Sequence, residues 1–222
     1  ALGVSEYTRL GILPQALKNY FLRLGWSMGD EEIFSDEEMK LSFQSGTLNS
    51  SPATFSMDKL LWFNKFYLEQ MSIDQLMEVV PHKDFDGSEY SKTILETIRD
   101  RCTTLNDFSI NADYFFRDPE DYDQSLILKQ CKKETPNHLS LLKEQLTELN
   151  NWEQIYIKEV IDKVISDLEI GFGKIGLPFR LALTSRVNSP SIDLVCEILG
   201  KDTTLRRLEN FLIRLQDLKI DL

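Results

Sequence analysis

The chain has 222 residues, of which 42% are apolar and 27% charged, a balance typical of a soluble globular protein. No apolar run reaches the ~20 residues that a membrane-spanning helix needs, and the N-terminus lacks a basic start with an apolar core, so we expect neither a membrane anchor nor secretion. The formal net charge of -11 argues against binding of a nucleic acid by the surface as a whole. We expect no binding of DNA.

The first predicted helix opens at a proline. Pro14 is placed in the first turn of a helix, where proline is tolerated because that amide has no partner in any case. Apolar side chains follow at the helical spacing before Gly25, and these are Leu17, Tyr20, Phe21 and Leu24. The pattern predicts a short amphipathic helix from Pro14 to Gly25.

Serine residues mark the starts of the next predicted helices. Ser35 with Glu38, and Ser72 with Gln75, match the capping box, in which two side chains satisfy free amides of the first turn. Ser56 matches a simple N-cap.

The rest of the chain reads as a succession of helices. The polar, turn-like segment 82–87 indicates a domain boundary. Beyond it, apolar spacing predicts helices over 88–102, 105–115, 119–131, 137–149, 152–169, 190–199 and 203–218. No sustained alternation of period two occurs, so the sequence predicts an all-α fold.

Candidate metal and nucleotide motifs are weak. His82 and His138 are the two histidines, and they are too far apart in sequence to share one helix face, so we expect no metal site. Gly171, Gly173 and Gly176 spell the GxGxxG dinucleotide motif, but they follow a predicted helix instead of a strand. We interpret these glycines as a helix end with a sharp turn, and we expect no cofactor site.

The three cysteines are Cys102, Cys131 and Cys196, an odd number without CxxC spacing. The sequence therefore predicts free, buried thiols in a reducing compartment such as the cytoplasm.

The C-terminal quarter differs from the rest in charge. Residues 171–222 contain 8 basic and 6 acidic side chains, a charge of +2, whereas the first 170 residues carry -13. Arg180 and Arg186 flank a short apolar run, and Ser189 is predicted to cap a helix beginning at Pro190. A capped helix N-terminus beside guanidinium groups, with Arg206 and Arg207 on the next predicted helix, favours an anion or a base edge. Surface arginines on a helical hairpin are the alternative.

Ordered motifs at both ends resemble bacterial glutamyl-tRNA synthetases. The C-terminal part has the family's Gly-Lys-x-Gly-x-Pro-x-Arg-x-Ala-Leu-Thr stretch over 173–184, then Ser189-Pro190 and Leu199-Gly200-Lys201. The N-terminal part is similar to the region after the family's catalytic Lys-Met-Ser-Lys-type loop, through Leu24-Gly25-Trp26-Ser27, residues 29–32, Ser51-Pro52-Ala53 and residues 59–64. The resemblance covers nearly the whole chain.

The resemblance implies a stem-contact helical region over 1–80 and a two-part helical anticodon-binding domain over 81–116 and 117–222. It implies that Arg180 contacts an anticodon base and that Ser189, Pro190 and Ile192 line the same pocket. An arginine that selects the third anticodon base in some members corresponds to Arg101, with Arg99 as the alternative. Arg186 adds positive charge beside this pocket.

The resemblance also implies that the chain is part of a longer enzyme, here called the parent enzyme. By this resemblance, the parent enzyme is a cytoplasmic, monomeric class I ligase that attaches glutamate to its tRNA. Whether it also uses glutamine tRNA as a substrate is left open. The ATP and magnesium that this reaction uses belong to a Rossmann-type domain whose two signature sequences are not found in these 222 residues. We therefore expect this chain to bind tRNA without catalysis.

Two other classes of function are weighed against this interpretation. An acidic all-helical protein-interaction scaffold explains the net charge but not the ordered motifs. A helical-bundle enzyme needs converging catalytic ligands, which the sequence does not supply.

Overall fold

The computed structural model describes residues 3–26, 29–45 and 54–218, without the side chains of residues 43 and 45. In this part of the chain the predicted all-α fold is confirmed, with thirteen α-helices and two short 3₁₀ helices. None of the described helices is long and apolar enough to cross a membrane. Ser27 and the Ser51-Pro52-Ala53 motif lie outside the described residues.

The chain divides into two compact units, Ala1–Asn111 and Ala112–Leu222, here called the N-terminal and the C-terminal unit. The N-terminal unit contains Val4–Arg9 (α1), Pro14–Gly25 (α2), Asp36–Ser45 (α3), Met57–Gln70 (α4), Ile73–Val79 (α5), Glu89–Ile98 (α6) and the 3₁₀ helix Arg99–Arg101. Helix α7, Leu105–Phe116, begins in the first unit and ends in the second. The three-part division at 80 and 116 stays a prediction.

The C-terminal unit contains the remaining helices, which are Gln124–Gln130 (α8), Thr135–Glu148 (α9), Gln154–Asp167 (α10), the 3₁₀ helix Phe172–Lys174, Gly176–Thr184 (α11), Ile192–Leu199 (α12) and Lys201–Asp217 (α13). Most agree with the predicted helices to within a few residues. Helix α11 was not predicted, because Gly176 and Pro178 interrupt the apolar pattern. Pro178 lies in its first turn, where the helix needs no amide.

The predicted starts of the early helices are confirmed. Helix α2 begins at Pro14 and ends at Gly25. The Ser72 hydroxyl accepts from the Gln75 amide at 3.2 Å, and the Gln75 side chain accepts from the Ser72 amide at 2.8 Å. The Ser56 hydroxyl accepts from the amide of Lys59, three residues into α4. These caps satisfy amides that have no partner within the helix.

The core of the N-terminal unit contains a fully buried amide. Asn64 of α4 accepts from the Leu13 amide at 2.7 Å and donates to the carbonyls of Gly11, at 3.3 Å, and Thr103, at 2.6 Å. Its side chain therefore joins α4 to two chain segments far away in sequence. A buried amide with satisfied donors and acceptor is stabilising, whereas an unsatisfied one is costly.

Gly11 is required by its backbone. Its φ is +77°, in the left-handed region, and a Cβ there would lie 2.8 Å from the backbone nitrogen of Asn106. The Leu105 amide donates to the Gly11 carbonyl at 3.0 Å. The close approach of these two backbones leaves no space for a larger residue.

The predicted free, buried thiols are confirmed for Cys102, Cys131 and Cys196. Burial raises the pKa of Cys102 to about 12 and that of Cys131 to about 11. Because the thiolate is the reactive form, these cysteines are inert packing residues.

Candidate nucleic-acid interface

Helix α11 carries Arg180 towards the segment before α12. Its Nη1 donates to the carbonyls of Ser189, at 2.9 Å, and Pro190, at 2.5 Å, and to the Ser189 hydroxyl. The structure therefore brings together three of the residues that the sequence singled out. Since one guanidinium nitrogen serves all three acceptors, Arg180 fixes the conformation of the 189–190 segment.

The predicted cap at Ser189 is wrong. Helix α12 begins at Ile192, two residues after the predicted start, and its N-cap is Ser191, whose side chain forms no capping hydrogen bond. The Ser189 hydroxyl instead accepts from Arg180 and donates to the Pro190 carbonyl at 2.9 Å. The long-range contact with Arg180 competes for the hydroxyl, and no local sequence pattern reports such a contact.

Ile192 lies in the core, with an exposed fraction of 2%. Pro190 is also buried, and Ser189 is 9% exposed. Ile192 therefore presents almost no surface of its own to a ligand.

Arg101 lies in the N-terminal unit. It is exposed at the end of the 3₁₀ helix Arg99–Arg101. Arg99, the alternative at the sequence level, is half-buried and donates to the Met71 carbonyl. Of the two arginines, Arg101 is the one with its side chain at the surface.

Arg186 follows the end of α11. Ser185 has a φ of +54°, in the left-handed region, so the chain turns sharply there. The Arg186 amide donates to the Thr184 hydroxyl at 3.2 Å, and its guanidinium carbon lies 5.7 Å from the ring centroid of Tyr114. This spacing is that of a cation–π contact.

Arg207 is a buried charged residue of the C-terminal unit, with an exposed fraction of 2%. Its guanidinium donates to three carbonyl oxygens and one carboxylate, and these are Tyr114 (2.7 Å), Leu183 (2.7 Å), Arg117 (2.9 Å) and Asp118 Oδ1 (2.8 Å). It therefore ties α13 to the ends of α7 and α11. The proposed role of Arg207 in binding an anion is thus replaced by a structural one.

Arg206 shares the same carboxylate. Its Nε lies 3.0 Å from Asp118 Oδ2 and its Nη2 lies 2.9 Å from Asp118 Oδ1, a bidentate pair. The hydrogen bond from Arg206, assisted by Arg207, holds the pKa of Asp118 below its ordinary value. Sequence analysis did not find Asp118, because its partners lie almost ninety positions later in the chain.

Comparison with known proteins gives a match to one family model. Residues 67–212 match the model described as the anticodon binding domain. The matched range begins in α4 and ends in α13.

Curated relatives match along almost the whole chain. The chain is 36% identical to the glutamate–tRNA ligase of Ruthia magnifica subsp. Calyptogena magnifica over 215 residues, which is 94% of this chain and 47% of that protein. It is 37% identical to glutamate–tRNA ligase 1 of Sulfurovum sp. strain NBC37-1 over 216 residues, which is 94% of this chain and 46% of that protein. The chain thus spans about half the length of these relatives.

A solved structure has a similar fold. The glutamate tRNA ligase from Elizabethkingia meningosepticum CCUG26117, crystallised in complex with its amino acid, matches with a TM-score of 0.82 and 29% identity. The match covers 94% of this chain and 43% of that one.

Proposed function

The chain belongs to the anticodon-binding domain family, and we propose that it is the tRNA-binding portion of a glutamate–tRNA ligase. The observation that supports this most is the alignment of 94% of the chain with glutamate–tRNA ligases. In the proposed parent enzyme, a catalytic portion attaches glutamate to its tRNA with ATP, and the enzyme works as a monomer in the cytoplasm.

The proposed mechanism is recognition without chemistry. Unstacked anticodon bases enter a helical pocket, where their edges are hydrogen-bonded and their faces stack on flat side chains. Arg180 contacts a base edge, Ser189 and Pro190 border the pocket, and Ile192 supports this border from the core. The contacts of Arg180 with the 189–190 segment hold the guanidinium in place before the RNA arrives, which lowers the entropic cost of binding.

ATP chemistry is assigned to another part of the parent enzyme. The described residues contain no group of three or more His, Cys, Asp or Glu side chains that fits a metal ion. We assign the binding of ATP and magnesium to the catalytic portion of the proposed parent enzyme.

Arg101 is proposed to select the third anticodon base. Its exposed position on the Arg99–Arg101 turn is compatible with a contact to RNA, whereas Arg99 is engaged by Met71. If Arg101 has this role, Arg101→Gln will reduce the preference for glutamate tRNA over glutamine tRNA in a binding titration. An unchanged preference contradicts it.

The test of the proposed function is a binding titration at low salt with glutamate tRNA and with an unrelated tRNA. We expect tighter binding of glutamate tRNA and a decrease in affinity with rising salt, because phosphate contacts release counterions. Arg180→Ala removes a base contact worth ~1–3 kcal/mol. Arg214→Ala removes an exposed charge from α13 and is the matched control.

Circular dichroism should show the same helical content for both variants. Equal affinity for the two tRNAs contradicts the proposed function. Equal affinity of Arg180→Ala and the original chain for glutamate tRNA contradicts the role of Arg180.

A further inference from the structure

Helices α9 and α13 form a groove on the surface of the C-terminal unit, with a volume of about 410 Å³. One face of each helix supplies the lining, because the lining residues lie three or four positions apart along most of each helix. They are Ser140, Lys143, Glu144, Thr147 and Glu148 of α9, and Glu209, Leu212, Ile213 and Gln216 of α13. Most of them are exposed, so the groove is open along the two helices, unlike a small-ligand site that encloses its ligand.

The two helices are tied together at two levels. At the end of α9, Lys201 Nζ donates to the carbonyls of Thr147 at 2.7 Å and Leu149 at 2.8 Å. Further along, Lys143 pairs with Glu209. Because α13 begins where α9 ends, the helices run antiparallel, and these bonds form the groove before any partner binds.

The groove has an apolar strip along α13. Leu212 is 8% exposed and Ile213 is 48% exposed. A single exposed isoleucine is common on protein surfaces, but Ile213 lies next to Leu212 in the concave surface between two helices. Such a strip fits the apolar face of a third helix, whose side chains recur at the i, i+3, i+4 and i+7 positions.

The charge of the lining decides the chemistry of that third helix. The lining contains three carboxylates and one lysine, and Lys143 is already paired with Glu209. Glu144 and Glu148 are exposed one turn apart on α9, and neither forms an ion pair with any residue that the structure describes. Their uncompensated charge repels a phosphate backbone and attracts a cationic partner.

We propose that the groove between α9 and α13 docks a basic amphipathic helix of a partner protein. The apolar side chains of that helix pack on Leu212 and Ile213, and its lysine or arginine side chains pair with Glu144 and Glu148. The proposal goes beyond tRNA binding and does not rest on it, since the groove shares no lining residue with the 189–190 segment.

The test is a fluorescence anisotropy titration of the full chain at low salt with a labelled synthetic helical peptide. The peptide carries leucines on one face and lysines on the others. One comparison peptide has the same composition, scrambled so that the leucines share no face, and another has glutamate in place of lysine. We expect the basic amphipathic peptide to bind at least about tenfold more tightly than either, because only it matches both the strip and the charge.

A first pair of variants tests the apolar strip. Ile213→Ser removes the exposed apolar side chain from the groove, and we expect it to weaken binding of the basic peptide at least about 5-fold, as for an interface anchor. Ile155→Ser is the matched control, because Ile155 is 60% exposed on α10 and lies outside the groove. It should change the affinity less than about 2-fold, as for a residue that makes no contact.

A second pair tests the charge. Glu144→Gln with Glu148→Gln should weaken binding about 3- to 20-fold, the range for two exposed charge contacts. Glu153→Gln with Glu159→Gln removes the same charge from exposed positions at the start of α10 and should change the affinity less than about 2-fold. Glu144→Lys with Glu148→Lys should reverse the preference, so that the glutamate peptide binds more tightly than the lysine peptide.

The outcomes separate the occupants. Equal losses for the groove and the α10 variants, or equal binding of the scrambled peptide, show unspecific attraction to an acidic surface and overturn the proposal. Absence of peptide binding also overturns it. A concentration-dependent dimer in sedimentation that Ile213→Ser dissociates makes a second copy of the chain the occupant and overturns it too. Thermal melting of each variant shows whether it is folded. Loss of tRNA binding alone would contradict the proposed function and leave this proposal standing.

Discussion

In each unit, one buried side chain joins chain segments that lie far apart in sequence, but the two side chains differ in charge. In the N-terminal unit, the neutral amide of Asn64 joins α4 to the Gly11–Leu13 and Thr103 segments. In the C-terminal unit, the charged guanidinium of Arg207 joins α13 to the ends of α7 and α11. Both side chains satisfy backbone groups at helix ends and loops that the helices themselves leave without partners.

The two buried side chains, Asn64 and Arg207, differ in the partners that they require. An amide is satisfied by backbone groups alone, whereas a buried guanidinium also needs a counterion, because an unpaired buried charge is very costly. Asp118 supplies that counterion. The buried side chain that joins the segments of the C-terminal unit is therefore charged and paired, whereas that of the N-terminal unit is neutral.

The largest expected effect on stability comes from removing the buried guanidinium of Arg207. Arg207→Met leaves three backbone carbonyls and Asp118 without this partner, and we expect a loss of ~3–5 kcal/mol in the free energy of unfolding. Hydrogen exchange should show the loss of protection within residues 112–218. Arg206→Ala is the matched control, since it shares Asp118 but has a side chain that is 52% exposed, and it should cost ~1 kcal/mol or less. Equal losses for the two arginines contradict a buried structural role for Arg207.

The next effect on stability concerns Gly11 in the N-terminal unit, whose carbonyl accepts from Asn64. Gly11→Ala combines a left-handed φ with a Cβ that collides with the backbone at Asn106, and we expect at least ~2 kcal/mol of destabilisation. Gly87 has a similar φ of +80° but no heavy atom within 4 Å of an added Cβ. Gly87→Ala should therefore show only the backbone strain, ~1–2 kcal/mol. The comparison is a pair of urea denaturation curves, and a larger loss for Gly87→Ala would refute the crowding argument.

Helix caps give a smaller difference between the units. Ser72→Ala removes the side-chain half of a capping box at the start of α5, which costs ~0.5–2 kcal/mol. Ser191 is the N-cap of α12 but its side chain forms no capping bond, so Ser191→Ala should change stability by less than ~0.5 kcal/mol. Thermal melts of the two variants are enough to compare them, and a larger loss at Ser191 is the result that this account does not allow.

The smallest effect is a pH dependence of stability that arises from the pairing of Asp118 with Arg206 and Arg207. The pKa of Asp118 is lowered in the folded chain, so its contribution to stability is present above the ordinary carboxyl pKa of ~3.9 and is lost as the pH falls through the folded value. The stability advantage of the original chain over Asp118→Asn should therefore shrink below about pH 4. Denaturation curves at pH 7 and at pH 3 measure it, and an advantage that is constant between them argues against the ion pair.

Local sequence patterns were sufficient for most of the helices but not for the site. Pro14, Ser72 and the apolar spacing act within a few residues, so they predicted α2 and the start of α5 correctly. Helix α11 was missed because proline in a first turn resembles a helix break. The cap at Ser189 was wrong because Arg180, on another helix, engages its hydroxyl.

The sequence grouped Arg180, Ser189 and Pro190 by resemblance, and the structure brings these three into contact. It could not separate Arg206 from Arg207, which are adjacent in sequence. One is half exposed and the other is buried, and only the packing of α13 decides which. Burial of Ile192 has the same origin, since the face that α12 turns inwards depends on its neighbours.

The central claim is that Arg180, Ser189 and Pro190 take part in base-specific binding of an anticodon loop. The most direct measurement compares the dissociation constant of the chain for glutamate tRNA with that for the same tRNA carrying the anticodon loop of an unrelated tRNA. We expect the exchange of the loop to weaken binding at least tenfold, since contacts to base edges are worth ~1–3 kcal/mol each. Equal dissociation constants for the two tRNAs would contradict anticodon recognition.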